Sequence, residues 1–500
     1  MQSYYRFRYL SIVSSPAYFI FSCTKIKKIA IDVQLLLYKH INCQHIMVTS
    51  LFSFKAKVGI GLFLSYTSFE VYMHLRTKQI ISQRKQEYEK FSNSLDTNSI
   101  DKDVDFSKFK SATVAGMFVN PFDEYRPQTA FEFLLVRIME VFESLYGNSI
   151  ELHRKVTEEG ASDVEGVLQS YKPDLELIRQ NSILFQECIS RNNFKNLTST
   201  YNGWLNVFPT KSLPPLGHQM IFTWLGQSCS LVQISGINFL TDPILSKHLI
   251  AESFGPKRLM ESSMSFEDIK YATNNNINFT LVSHDHPDHL EMNVVRKIGN
   301  STTWILPLGL KKKFARNGIY NVIEMDWWDS VPLNQYISNE ANLTDNYEVV
   351  CVPAMHWSGR YIFDSNTTLW CSYIIKRNGE ALLYHAGDTG YSKELFKIIG
   401  AKYSPINLSL LPIGQYCPSW HQKPRHISPQ ESLQICECVS SKFMMGIHWG
   451  TFKLSSEPIL EPKHLLEQYA AIMGKSDSYR APHLGLTYVY DLEKKSIEER

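Results

Sequence analysis

Six consecutive residues, His284-Asp285-His286-Pro287-Asp288-His289, put three imidazoles and two carboxylates into one short loop. Imidazole nitrogen and carboxylate oxygen are the donors that zinc takes when thiolates are missing. Nine scattered cysteines offer no CxxC pair, and the nearest two are Cys436 and Cys438, so a thiolate site is excluded. His284 and His286 can face one point while Asp288 and His289 turn to a neighbouring one, which lets a single loop serve two adjacent ions. It cannot complete either. Three further candidates each end an apolar run: His356 after residues 349–353, Asp388 after residues 382–385, and His448 after residues 443–447. Alone, each is the kind of residue found in any core or loop. Together they supply the three missing donors, at strand ends where α/β proteins build their sites. A metal pair of this composition is suited to hydrolysis.

The elements that must carry these residues are legible downstream of Gly217. Residues 278–283 read as a buried strand delivering the six-residue loop, with a helix through 292–298 behind it. Short apolar runs at 222–225, 231–234 and 237–240 read as strands. Runs at 370–376 and 381–384 flank Asn378-Gly379, a hairpin signal. Helical patterns follow at 393–399, 429–439 and 463–473. Two groups of strands, each followed by helices, predict an α/β fold, a four-layer αββα sandwich spanning residues 216–490. Residues 112–215 read as a helical extension. Thr129 and Glu132 open a capped helix through Leu145, and further helical patches lie at 164–180 and 183–190. Residues 79–111 are polar, show no apolar periodicity and read as a linker.

The net charge of +2 over 500 residues conceals an asymmetry. Residues 1–78 carry ten Lys and Arg against only Asp32 and Glu70, leaving a net −6 on the remainder. An acidic body lacks the basic face that nucleic acid requires. The basic, acid-poor leader has the composition of a mitochondrial presequence, with Met47 as an alternative start. Within it, residues 58–75 form a marginal single-span anchor, close to the lower length limit for crossing a bilayer.

These features resemble the metallo-β-lactamase superfamily, and within it the N-acylphosphatidylethanolamine-hydrolysing phospholipase D family, above all its fungal mitochondrial members. The resemblance covers about residues 112–470. It rests on Phe118-Val119-Asn120-Pro121, Gly255-Pro256-Lys257-Arg258, Asp326-Trp327-Trp328 and His448-Trp449-Gly450-Thr451-Phe452, besides the His-Asp loop. It implies two Zn2+ per chain: His284, His286 and His356 on one, Asp288, His289 and His448 on the other, and Asp388 bridging both. It also implies a role for His426 beside the substrate phosphate and for Asp242 in orienting a ligand histidine. The implied partner is a membrane phospholipid, the implied location the mitochondrial inner membrane, and the implied assembly a homodimer. Gln227 stands where relatives carry His and is read as outside the ligand set. Asp285 and Pro287 depart from the usual Asn and aromatic residue, and the added carboxylate is expected to weaken binding of an anionic phosphodiester. The alternatives are an RNA phosphodiesterase and a membrane-anchored structural or phospholipid-homeostasis protein with little turnover.

Overall fold

The computed structural model describes residues 54–96, 105–126, 132, 135, 136, 138, 139, 168–194, 213–250, 255–338, 343–361 and 364–500. The chain divides into two compact units, Met1–Tyr72 and Met73–Arg500. The leader upstream of residue 54 lies outside the described residues.

Two mixed sheets dominate the second unit. The eight-stranded one runs, edge to edge, Ser496–Glu499, Thr487–Asp491, Gln219–Gly226, Cys229–Ile234, Ile237–Thr241, Phe279–Leu281, Thr303–Pro307 and Val322–Met325. The seven-stranded one runs Tyr479–Arg480, Phe443–Ile447, Ile406–Pro412, Glu380–His385, Ser372–Arg377, Tyr347–Val352 and Ser330–Pro332. Each sheet changes from antiparallel pairing to parallel pairing part-way across, at Ile237–Thr241 and at Glu380–His385. The Asn378-Gly379 pair makes the predicted hairpin, both residues taking positive φ (50° and 86°) as a type I′ turn demands.

One core cluster joins side chains of both sheets, among them Phe222, Phe239 and Ile305 from one and Val350, Ile374 and Leu383 from the other. A second covers the opposite face of the eight-stranded sheet, where Leu177 and Ile178, Ile269, Val294 and Phe314 come from helices Leu175–Ser190, Phe266–Ala272, Met292–Ile298 and Lys311–Ala315. Strands buried on both faces read as continuous apolar runs, which is the pattern that announced them. The sheet continues to Glu499, nine residues beyond the expected domain end at 490.

Upstream the structure corrects four expectations. Residues 79–96, expected as a linker, belong to the helix Phe54–Asp96. Its inward stripe is Thr77, Ile81, Arg84, Tyr88 and Phe91, a helical spacing carried partly by polar residue types. Tyr88 packs on Phe109 and Phe122 with ring centroids 4.7 and 6.1 Å apart. The same helix contains the expected anchor at 58–75. Among the described residues no helix is long and apolar enough to cross a membrane, because glycines, hydroxyl residues, Glu70 and His74 dilute that run. The extension starts not as helix but as the hairpin Ala112–Val114 with Met117–Val119. The two patches expected at 164–180 and 183–190 give one helix, Leu175–Ser190, capped by the Asp174 carboxylate accepting from the Leu177 amide at 3.0 Å. The helix expected over 131–145 lies largely outside the described residues.

Candidate metal centre

The nine residues singled out by sequence as site residues converge where the two sheets present their loops. The strand Phe279–Leu281 leads into the His284–His289 loop, and Tyr347–Val352, Glu380–His385 and Phe443–Ile447 lead into His356, Asp388 and His448. Bringing Asp388 alongside that loop requires Gly387. It sits at φ +59°, and a Cβ there would lie 2.5 Å from Ser283 Cβ. His448 and Asp242 also hold left-handed backbone (φ +63° and +37°), unusual for such residues and typical of sites that surroundings over-determine.

The donors form two groups. In the first, His286 Nδ1 lies 2.8 Å from His284 Nε2 and 3.2 Å from His356 Nε2. In the second, His289 Nε2 lies 3.2 Å from His448 Nε2 and 3.6 Å from Asp288 Oδ2, and His448 Nε2 lies 3.4 Å from Asp288 Oδ2. The Asp388 carboxylate reaches both groups: Oδ2 is 3.2 Å from His289 Nε2 and 3.7 Å from His356 Nε2, and Oδ1 is 3.1 Å from His448 Nε2. A tetrahedral zinc with bonds of about 2.0–2.1 Å holds its ligands roughly 3.3 Å apart. These separations fit that edge. Two buried polar atoms that face this centre have no hydrogen-bond partner: Asp388 Oδ1 and His426 Nδ1. Buried polar atoms are normally satisfied, so such a pair calls for an ion or water. The residues present therefore fit a metal pair.

Electrostatics separate the two groups in the absence of ions. Burial, aided by neighbouring imidazoles, holds His284 well below the ordinary histidine range. Burial likewise takes His286 and His356 down to about 3 against the pull of the nearby carboxylates. These rings are neutral near pH 7, as ligands must be. In the second group burial also disfavours charge, but the carboxylates outweigh it. Asp388, Asp288 and Asp242 raise His289 well above its usual range, and Asp388 and Asp288 raise His448 to about 9. An ion entering there must displace protons.

The orienting shell extends beyond what the sequence indicated. Asp242 Oδ2 lies 2.9 Å from His289 Nδ1, as the resemblance implied, and also 2.9 Å from His385 Nε2. The same carboxylate accepts from the Ser283 amide at 2.7 Å and hydroxyl at 2.8 Å. His385 was missed; a histidine inside an apolar strand beside the Ala-Gly-Asp loop was the available signal. The ring of His356 is fixed by its Nδ1 2.8 Å from the Arg425 carbonyl, and its own carbonyl accepts from Asn120 Nδ2 at 2.6 Å. His426 is buried with Nδ1 3.7 Å from Asp388 Oδ2, and burial keeps it well below the ordinary range.

Two readings of departures change. Asp285 does not burden the metal pocket with charge: its carboxylate pairs with Lys313 Nζ at 3.2 Å and accepts from the Gly359 amide at 2.8 Å. Gln227 is not peripheral. Its Nε2 lies 2.9 Å from Asp288 Oδ2 and 2.8 Å from His448 Nε2.

The model of the Beta-lactamase superfamily domain matches residues 237–449. The chain is 34% identical over 445 residues to N-acyl-phosphatidylethanolamine-hydrolyzing phospholipase D, mitochondrial, of Saccharomyces cerevisiae, covering 86% of this chain and 87% of that one. It is 36% identical over 256 residues to N-acyl-phosphatidylethanolamine-hydrolyzing phospholipase D 1 of Caenorhabditis elegans, covering 49% and 68%. Among solved structures, the metallo hydrolase Igni18 of Ignicoccus hospitalis aligns at a TM-score of 0.41 and 22% identity, over 54% of this chain and 98% of that one.

Proposed function

The chain belongs to the N-acyl-phosphatidylethanolamine-hydrolyzing phospholipase D family of metal-dependent hydrolases, and from that premise we propose that it hydrolyses N-acylphosphatidylethanolamine to N-acylethanolamine and phosphatidic acid. The observation that carries the reading is the reach of Asp388 across both donor groups, which supports one continuous site for two ions. His284, His286 and His356 would hold one Zn2+, Asp288, His289 and His448 the other, with Asp388 shared. When bound, such a pair supplies Lewis acidity toward a phosphoryl oxygen and lowers the pKa of water.

The chain's own residues account for the rest. Asp242 keeps the proton of His289 on Nδ1, leaving Nε2 free as a donor. The backbone contacts at His356 lock its ring in the same way. His426, kept neutral by burial, suits hydrogen bonding to the substrate phosphate. Phosphate charge beside it would raise its basicity, and it could then hand a proton to the departing N-acylethanolamine oxygen. Pairing of Asp285 with Lys313 supports an anionic substrate, since the carboxylate expected to repel it is neutralised. The mitochondrial yeast relative and the basic leader support a mitochondrial location, which we place at the inner membrane. Two sheets with helices against the outer face of one support the αββα sandwich.

The test is product analysis with full-length protein and N-acylphosphatidylethanolamine in mixed micelles made up in 18O-labelled water. Label in the phosphatidic acid phosphate establishes attack at phosphorus. Label in the N-acylethanolamine, or release of diacylglycerol, refutes this bond assignment. An RNA phosphodiester offered in parallel should remain intact.

A further inference from the structure

We infer that Gln227 is a positioning residue for the second metal site, setting the affinity of the ion held by Asp288, His289 and His448; this rests on the two-metal reading above. Its side-chain amide touches two donors of the same ion: Asp288 Oδ2 at 2.9 Å and His448 Nε2 at 2.8 Å. No comparable contact reaches the donors of His284, His286 and His356 among the described residues.

The backbone around Gln227 is stapled independently of that amide. Its N–H donates to Thr451 Oγ1 at 2.6 Å. Its carbonyl accepts from Trp224 Nε1 at 2.8 Å and from the His448 amide at 3.0 Å. The residue holds left-handed backbone at φ +51°, a strained conformation that those three bonds maintain. The loop thus delivers the amide to a fixed point, and that point is the edge between two ligands.

The two contacts behave differently once an ion binds. A neutral imidazole nitrogen has one lone pair, so a metal on His448 Nε2 excludes an N–H from it. A carboxylate oxygen has two, so Asp288 Oδ2 can ligate an ion and still accept from Gln227. The contact that persists is therefore the one to Asp288, whose carboxylate has more freedom than any ring in the site, being partly open to solvent. Loss of such an outer hydrogen bond typically weakens metal binding 10- to 100-fold. The two ions then differ in how firmly they are held for a reason outside the ligand list.

The experiment is a zinc titration of full-length protein against a competing chelator, comparing wild type, Gln227→Met and Gln227→Ala. Met keeps the volume and removes the donor. The expected result is one of the two binding steps weakened at least about ten-fold in both variants, with the other unchanged. Both steps within about twofold of wild type in Gln227→Met overturn the inference. Weakening in Ala but not Met assigns the effect to packing and overturns it equally. Wild-type protein that takes up fewer than two ions overturns the two-metal reading itself, and the inference with it.

Discussion

Replacing Asp242 with Asn should loosen the second metal without emptying the first. The carboxylate is fully buried and accepts from His289 Nδ1, His385 Nε2 and both donors of Ser283 at 2.7–2.9 Å. Hydrogen bonds to a charged group are worth about 1.5–3 kcal/mol each. An Asn keeps one oxygen, so it retains about half of these and turns an NH2 toward the others. Where that NH2 faces His289, the ring prefers its proton on Nε2, the atom that must be bare to ligate. A net loss of about 2–3 kcal/mol follows, roughly 30- to 150-fold in affinity. Chelator competition reads it directly, and a circular-dichroism melt of the metal-free variant separates it from unfolding. Affinities of both steps within about threefold of wild type would mean that His289 does not need Asp242 to set its tautomer.

Other outcomes follow from the same geometry. Lys313→Ala should cost about 2 kcal/mol of stability in a denaturant melt, less than the 3–5 of a fully buried pair because Lys313 is a quarter exposed, with metal stoichiometry kept. Asn120→Ala strands the His356 carbonyl and should lower stability in a denaturant melt by about 1–3 kcal/mol while weakening, in chelator competition, one zinc-binding step and not both. For metal-free protein, His286 and His356 sit near 3 when folded, below their unfolded value, so the folded state binds fewer protons in the interval between. Their stabilisation is present above about pH 6.5 and falls as pH drops from there toward 3, by up to about 2.7 kcal/mol per pH unit for the two. His448, raised to about 9, acts oppositely: its contribution is full below about 6.5 and lost as pH rises through 9. A stability maximum near pH 6.5 in equilibrium melts is expected, and a monotonic rise from pH 5 to 9 would contradict it.

The ligand set was legible because metal chemistry restricts residue types and strand ends restrict where they stand. The His-Asp loop, His356, Asp388 and His448 each follow an apolar run whose type announces a buried strand. The Asn378-Gly379 hairpin was legible for the same reason, since few residues accept positive φ twice in succession. What escaped was set by contacts distant in sequence. Gln227 meets Asp288 and His448 across 61 and 221 residues, and nothing local to Gln227 marks it. Asp285 and Lys313 are 28 residues apart, so the direction of the carboxylate was invisible until the helix Lys311–Ala315 was in place. The helix through 79–96 hid because its inward stripe uses Thr77, Arg84 and Tyr88, which an apolar count passes over.

On the function proposed above, one dinuclear centre shared through Asp388 performs the hydrolysis. The direct measurement is metal content by elemental analysis together with N-acylphosphatidylethanolamine turnover, on full-length wild type and Asp388→Asn. Two ions per wild-type chain are expected, with loss of at least one in the variant and turnover reduced by about a thousandfold or more, comparable to the loss of a principal electrostatic group. A variant that sheds metal yet keeps wild-type turnover would contradict it.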